Sequence, residues 1–349
     1  MRDVLEKIDA WRLAEDEYAV STVVKTWGSA PRPVGSKLVA TRKGGVAGSV
    51  SAGCVEGAVI DESREVMKTG VPRLLTFGVA DEDAWQVGLA CGGTIQVFVE
   101  PASAFEGVYE QIKRHLEERE PFAVVSVLEG TPERLNRKLV VLEDGSTEGD
   151  LEIPDQEENL VRLALEFLAG ENGGTTELED GTVLFVEVYP QPPKLIIVGA
   201  VHFAEPLVAI ANTIGFDTIV VDPRRAFANR ERFPNANQVL QQWPQEALPD
   251  IKLSSSTYIV VLTHDPKVDD PALQIALKSG ARYIGALGSR RTNRKRIERL
   301  IKAGLSQEQI ARLHAPIGLD IGGRSPGEIA VSIMAEIIKE RNQSPAVGS

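Results

Sequence analysis

The chain has only two cysteines, and both stand in glycine-dense turns. Cys54 lies in Gly48-Ser49-Val50-Ser51-Ala52-Gly53-Cys54-Val55-Glu56, and Cys91 in Gly88-Leu89-Ala90-Cys91-Gly92-Gly93-Thr94. A cysteine that merely fills space packs within an apolar element. A thiol beside backbone N–H groups is instead stabilised as thiolate, the form that attacks electrophiles or binds soft metals. Gly48, Gly53, Gly92 and Gly93, with Ser49 among them, would let the backbone come close to a polyanionic ligand. The competing reading is two tight turns that each hold a small residue. Both turns adjoin strand patterns, so they are expected to converge at one sheet end and bring Cys54 and Cys91 together.

A second candidate opens the C-terminal half. Gly199-Ala200-Val201-His202 follows the apolar run LIIV and opens a helical pattern, and Asp222 ends the next strand pattern. A dinucleotide fingerprint belongs at such a place: its second glycine admits the pyrophosphate, and the acid bonds a ribose hydroxyl. Here Val201 occupies the second glycine position, which predicts Rossmann topology with weak or no NAD(P) binding. Asp222 has a second reading, capping the turn Asp222-Pro223-Arg224. Gly288-Ser289-Arg290-Arg291, between a strand and a helix, could hold an anion, or could simply begin a solvated basic helix. Thr263-His264-Asp265, with Asp269 and Asp270, offers metal ligands, yet aspartates before a helix are commonly caps. His314 fits a local bond in a loop, and His115, on an exposed-looking helix, suggests no role.

The elements that must position these residues fall into two halves. The first opens with a helix carrying Val4, Ile8 and Trp11 on one stripe, followed by the strand YAVSTVVKTW. A helix over 55–68 is stopped by Gly70. In the strand TIQVFVEP, Ile95, Val97 and Val99 alternate with Gln96, Phe98 and Glu100 as in a half-buried strand. Residues 103–119 read as helix, PFAVVSVL and TVLFVEVY as strands. Segment 143–160 carries eight acids and reads as a solvated excursion. No internal repeat is evident. Pro190, Pro192 and Pro193 mark a boundary between domains at 1–190 and 194–342. Beyond it, Val/Ile-rich strands at 195–200, 218–222, 258–265 and 283–289 alternate with helices, one of them over 271–279. That is the pattern of a parallel sheet covered on both faces. The last helix starts at Ser325 as cap, Pro326 and Glu328, with Ile329, Ile333 and Ile337 facing the sheet. The fold class is therefore α/β: an N-terminal mixed α/β domain and a C-terminal Rossmann-like domain. A net charge of −12 argues against nucleic acid or an anionic membrane as partner. No apolar run reaches the 18 or so residues of a membrane helix. The charged start and the scarcity of cysteine suit a reducing cytoplasm.

Several of these segments together resemble one family, the XdhC/CoxI proteins, known as xanthine dehydrogenase accessory factors. In the first half they are GSAPRPVGSKLV (28–39), GSVSAGCVEG (48–57) and GLACGGTIQVFVEP (88–101). In the second they are KLIIVGAVHFAEPL (194–207), the DPR at 222–224, THDPKVDDPAL (263–273), YIGALGSRR (283–291) and LHAPIGLDIGGRSPGEIAVSIMAEI (313–337). The resemblance implies a maturation factor for molybdenum hydroxylases. Such a protein holds the molybdenum cofactor, a pterin dithiolene phosphate, protects it during sulfuration of its terminal ligand, and delivers it to the apoenzyme. It implies Cys91 as the cofactor contact, and as the metal ligand if the thiol reaches the molybdenum. Partners implied are the hydroxylase apoenzyme and a sulfur-donating cysteine desulfurase, and a homodimer is one assembly compatible with it. Two positions depart from the family pattern: Ala52 replaces the first glycine of Gly-Gly-Cys, and Val201 the glycine of Gly-Ala-Gly-His. A soft thiol suits molybdenum or its sulfido group, and glycine turns suit a phosphate-bearing pterin. A cofactor chaperone without turnover is thus the leading expectation. A nicotinamide-dependent oxidoreductase using Cys91 as redox thiol, and an enzyme acting on the pterin phosphate with a metal near Asp265 and Asp269, are the alternatives.

Overall fold

Alternation of β-branched residues with turn residues gives the described residues of the first half ten strands, and they form two sheets of one design. The computed structural model describes residues 1–78, 92–153 and 156–342. Its contacts divide the chain between Gln191 and Pro192 into two compact units. The first unit begins with α1 (Leu5–Leu13), β1 (Tyr18–Trp27), β2 (Lys37–Thr41), β3 (Val46–Gly48), α2 (Glu56–Thr69), β4 (Arg73–Phe77) and β5 (Thr94–Pro101). The same succession then follows again: α3 (Tyr109–Glu118), β6 (Phe122–Glu129), β7 (Lys138–Leu142), β8 (Thr147–Asp150), α4 (Glu157–Ala169), β9 (Gly174–Glu177) and β10 (Val183–Tyr189). The strand orders are β3-β2-β1-β5-β4 and β8-β7-β6-β10-β9, with every pairing antiparallel.

The unit is an internal duplication, contrary to the expectation of no repeat. Details recur as well as order. A Cβ on Gly48 would lie 2.2 Å from the Lys37 carbonyl and 2.8 Å from Val4, and one on Gly149 would lie 2.4 Å from the Lys138 carbonyl and 2.8 Å from Val108. Segment 143–160 is accordingly no solvated excursion. It supplies β8 and the start of α4, and buries Leu151, Ile153 and Leu160.

Between the two sheets lies a core to which both copies contribute alike. Val4, Ile8, Tyr18, Val20 and Val39 meet Val108, Ile112, Phe122, Val124 and Val140. The outer face of one sheet is covered by α2 through Val59 and Val66, and that of the other by α4 through Leu160 and Ala164. Phe98 and Glu100 are therefore buried too, so β5 is covered on both faces and not half-exposed. His115 is another correction: only 3% exposed, it places Nδ1 2.7 Å from a Glu120 oxygen and Nε2 3.3 Å from one of Glu148.

The second unit contains β11 (Lys194–Val198), α5 (Ala204–Thr213), β12 (Asp217–Val221), β13 (Gln238–Leu240), α6 (Pro244–Ala247), β14 (Thr257–Val261), α7 (Pro266–Ala276), β15 (Tyr283–Ala286), α8 (Arg290–Lys302), α9 (Gln307–Ala311), β16 (Leu313–His314) and α10 (Pro326–Asn342). Its six strands are all parallel, in the order β13-β12-β11-β14-β15-β16. Counted from β11 as first, that is the Rossmann order 3-2-1-4-5-6. Ile333 and Ile337 of α10 are fully buried against this core, as their spacing predicts, and Ile329 packs beside them. Helix α7 begins five residues earlier than its pattern suggests. Asp265 caps it by accepting from the Lys267 N–H at 2.9 Å, and Pro266 takes the first helical position, where no N–H is needed. Among the described residues, no helix is long and apolar enough to cross a membrane.

Candidate functional site

The chemistry-bearing turns all belong to the first copy. Strand β1 ends at Trp27, opposite Thr94 at the start of β5. The chain leaving β1 therefore runs beside the chain entering β5. A Cβ on Gly93 would lie 2.4 Å from the Ser29 carbonyl oxygen and 2.9 Å from that of Trp27, so glycine is required for this approach. Cys54 and Ala30 pack against one apolar cluster that includes Val50, Val55 and Ile95. Ile95 is two residues beyond Gly93. The turns 28–30 and 92–93 thus lie side by side at one end of the sheet, and Cys54 packs on the same apolar cluster as Ala30. Cys91 lies outside the described residues, so its expected meeting with Cys54 is followed only as far as Gly92.

The Cys54 turn is organised around a carboxylate that residue types alone do not single out. Glu56, the first residue of α2, turns its side chain back into the loop. Its Oε1 accepts from the Ser49 hydroxyl at 2.6 Å and the Ser51 N–H at 2.9 Å. Its Oε2 accepts from the Gly53 N–H at 2.9 Å and from the Ser51 hydroxyl. The Ala52 N–H is bound by the Ser49 hydroxyl and the Val55 N–H by that of Ser51, both at 2.9 Å. Burial pushes the Glu56 carboxyl up, but the hydroxyls of Ser49 and Ser51 and the backbone N–H groups outweigh it and hold its pKa at about 2. An anion at a helix N-terminus is favoured by the helix dipole as well.

This changes the expected role of the loop. The N–H groups of Ser51, Ala52, Gly53 and Val55 are engaged within the loop, so they form a preset scaffold for Cys54 and not an open anion cradle. Cys54 itself is a free, half-buried thiol. Gly48 is explained by packing, since its counterpart Gly149 has the same surroundings in the copy without cysteine. Gly53 and Gly92 differ: a Cβ on either would meet nothing within 4 Å among the described residues, and both have φ in the left-handed region, at 115° and 74°. Ala52 holds φ 57° where the family pattern has glycine, a conformation that costs an alanine about 1–2 kcal/mol.

In the second unit, Gly199 follows β11 with φ 105°, and a Cβ there would lie 2.3 Å from the Thr263 methyl. Glycine is needed because β11 and β14 are neighbours where the strand order reverses. Asp222 is fully buried and accepts from the Ala200 N–H at 2.8 Å and the Arg224 N–H at 2.9 Å. The Arg224 side chain adds bonds at 2.9 and 2.7 Å. Burial raises this carboxyl, and Arg224 more than offsets it, so the net shift is downward. The turn-capping reading of Asp222 is thus realised. Val201 is half-buried and packs on the core cluster, and His202 is exposed beside it.

The acids near His264 are already partnered. Asp265 caps α7. Asp269, 1% exposed, takes the Thr263 hydroxyl and the Arg296 guanidinium at 2.7 Å, and Asp270 takes both arms of Arg299 at 2.6 and 2.9 Å. They are structural groups, which removes the basis for a metal site there. Arg290 is exposed at the start of α8, whose cap is the Ser289 hydroxyl, accepting from the Thr292 N–H at 3.1 Å. His314 stacks on Tyr283 at 4.6 Å between centroids and lies 3.6 Å from Glu336.

A duplicated antiparallel unit with a thiol loop at one sheet end, followed by a Rossmann unit, defines a two-part α/β protein of a specific kind. Residues 11–78 match the model of the XdhC and CoxI family, and residues 195–337 match the XdhC Rossmann domain. The chain belongs to the XdhC/CoxI family. It is 28% identical over 349 residues to a Bacillus subtilis protein named as a probable subunit of xanthine dehydrogenase, covering 97% of this chain and 98% of that one. It is 26% identical over 321 residues to the Escherichia coli molybdenum cofactor insertion chaperone PaoD, covering 92% and 82%. The fold is shared with a Bacillus halodurans structure described as a xanthine dehydrogenase, with TM-score 0.76, 24% identity, and 99% and 97% of the two chains covered.

Proposed function

We propose that this protein is an accessory factor in the maturation of a molybdenum hydroxylase of the xanthine dehydrogenase type. It binds the molybdenum cofactor as cargo, shields it while the terminal sulfur ligand is installed, and passes it to the apoenzyme without turnover of its own. The hydroxylase apoenzyme and a sulfur-donating cysteine desulfurase are its protein partners. The observation that carries the reading is the Cys54 loop, pinned by Glu56 and packed on the same apolar cluster as Ala30, whose turn runs beside Gly93. A half-buried thiol on a rigid loop is a soft donor suited to molybdenum or its sulfur ligand. Among the described residues nothing stands within 4 Å of where a Cβ on Gly53 or Gly92 would lie, which suits the approach of a bulky, phosphate-bearing cargo. Relatives named as an insertion chaperone and as part of a xanthine dehydrogenase support the same direction.

The reading assigns cargo contacts to Cys91, Gly92, Gly93, Cys54 and Gly53, with Cys91 foremost. A nicotinamide dinucleotide is not a ligand in this account, because both Asp222 oxygens are already used. The test is to produce the wild type, Cys91→Ala and Cys54→Ala in a molybdenum-replete host and assay pterin on each purified protein. Cys91→Ala is expected to lose most of its pterin with the fold intact, and Cys54→Ala to lose less. Equal pterin in Cys91→Ala and wild type would refute the assignment of that thiol.

A further inference from the structure

We infer that Lys37 and Glu187 form a positioning brace, by which the second structural copy holds the site loops of the first. The inference takes its site from the functional reading above, but its main test does not depend on the cargo. Lys37 is the first residue of β2, and its side chain is only 2% exposed. Its Nζ donates to the Thr22 hydroxyl at 2.9 Å and to a Glu187 oxygen at 2.9 Å. Thr22 is on β1 of the same copy, whereas Glu187 is on β10 of the other.

Two of the site's loops join at this lysine. Segment 28–36 ends on it. The Cys54 loop begins against it, with the Ser49 N–H donating to the Lys37 carbonyl at 2.8 Å and Gly48 lying directly on that carbonyl. Glu187 reaches the first of these loops as well: a Cβ on Gly35 would be 3.7 Å from its Oε1. Movement of the Lys37 main chain would therefore move Ser49, whose hydroxyl binds both Glu56 and the Ala52 N–H.

The duplication supplies an internal control. Lys138 begins β7, with Nζ 2.9 Å from the Ser126 hydroxyl and 2.7 Å from Glu100 of the first copy. These side chains are 2% and 5% exposed, and Gly149 lies on the Lys138 carbonyl. The two lysines are equally buried and each crosses to a glutamate of the other copy, but the loops at Lys138 carry no cysteine. Glu100 is seven residues along β5 from Gly93, about 23 Å at the rise of a strand. A buried ion pair contributes little net stability, because desolvation consumes the Coulombic gain. What distinguishes the two pairs is what rests on them.

The experiment compares two pair-removed variants, Lys37→Met/Glu187→Leu and Lys138→Met/Glu100→Leu, each with Cys91→Ser so that Cys54 is the reporting thiol. Iodoacetamide alkylation of Cys54 is timed on the folded proteins, with melting temperatures recorded alongside. The brace predicts similar melting temperatures, and an alkylation rate changed about tenfold only in the Lys37/Glu187 variant. Equal alkylation rates in both variants and the parent, or equal changes in both, would overturn it. Should the Lys37/Glu187 variant not fold, the charge-swapped Lys37→Glu/Glu187→Lys protein carries the test. A parent-like rate then supports the brace, and a folded swap with the altered rate overturns it. Pterin assayed on the same Lys37→Met/Glu187→Leu pair with Cys91 retained separates the two proposals: an altered alkylation rate with unchanged pterin keeps the brace and removes Cys54 from the cargo site.

Discussion

Glu56 shows how a single residue can set the character of a site. Four groups from Ser49, Ser51 and Gly53 converge on its carboxylate, and through them the loop preceding Cys54 has one conformation. Its pKa, about 2, lies below the ordinary carboxylate value of 4.5. A carboxyl depressed by folding stabilises the protein fully above its unfolded pKa, and that contribution fades as pH falls through the folded value. The stability difference between wild type and Glu56→Gln should therefore be full above pH 4.5 and close toward pH 2. Its size is on the order of 1 kcal/mol once solvent screening of a partly exposed group is allowed for. Denaturant unfolding across that pH range measures it, and a difference that stays constant or grows on acidification contradicts the assignment. Residue types single out the two turns as candidates, since cysteines in glycine turns are unusual for mere packing. The wiring of the Cys54 turn is not legible from them. Glu56 lies five residues from Ser51 at the edge of a helical pattern, where an acid ordinarily means no more than a favourable helix start.

At the scale of elements, the strand patterns carry most of the fold, but their repetition is hard to see in the residues. KLVAT and KLVVL stand 101 residues apart, as do Gly48 and Gly149, and Glu56 and Glu157. The signal is faint because the copies exchange Thr22 for Ser126 and Tyr18 for Phe122, and differ most in their loops. Helix α7 illustrates the opposite error. Asp265-Pro266 announces a capped helix, and the acids behind it resemble ligands only until Arg296 and Arg299 are seen to be their partners. The turn after β11 is legible as Rossmann, yet the reason for expecting poor dinucleotide binding shifts. Val201 packs on the core, and the stronger obstacle is Asp222, whose oxygens are held by Arg224 and the Ala200 N–H. Calorimetric titration with NADH should accordingly show no saturation below about 1 mM. Binding in the micromolar range would contradict this and favour an oxidoreductase.

Over the whole molecule, the duplication separates the shared scaffold from the candidate site. Both copies keep the strand order, the crossed lysine–glutamate pairs and the glycine that lies on the lysine carbonyl. Only the first bears cysteine loops, so those loops are additions that the scaffold does not require. The chain's net charge of −12 suits docking on another protein better than on nucleic acid. The central claim is that the added loops hold a molybdenum cofactor in transit. It is tested most directly by purifying the full chain from a molybdenum-replete host and quantifying molybdenum and pterin per mole of protein. The account predicts both, in equal and substantial proportion, released together on denaturation. A folded protein that carries neither, and acquires neither when incubated with free molybdenum cofactor, would contradict it.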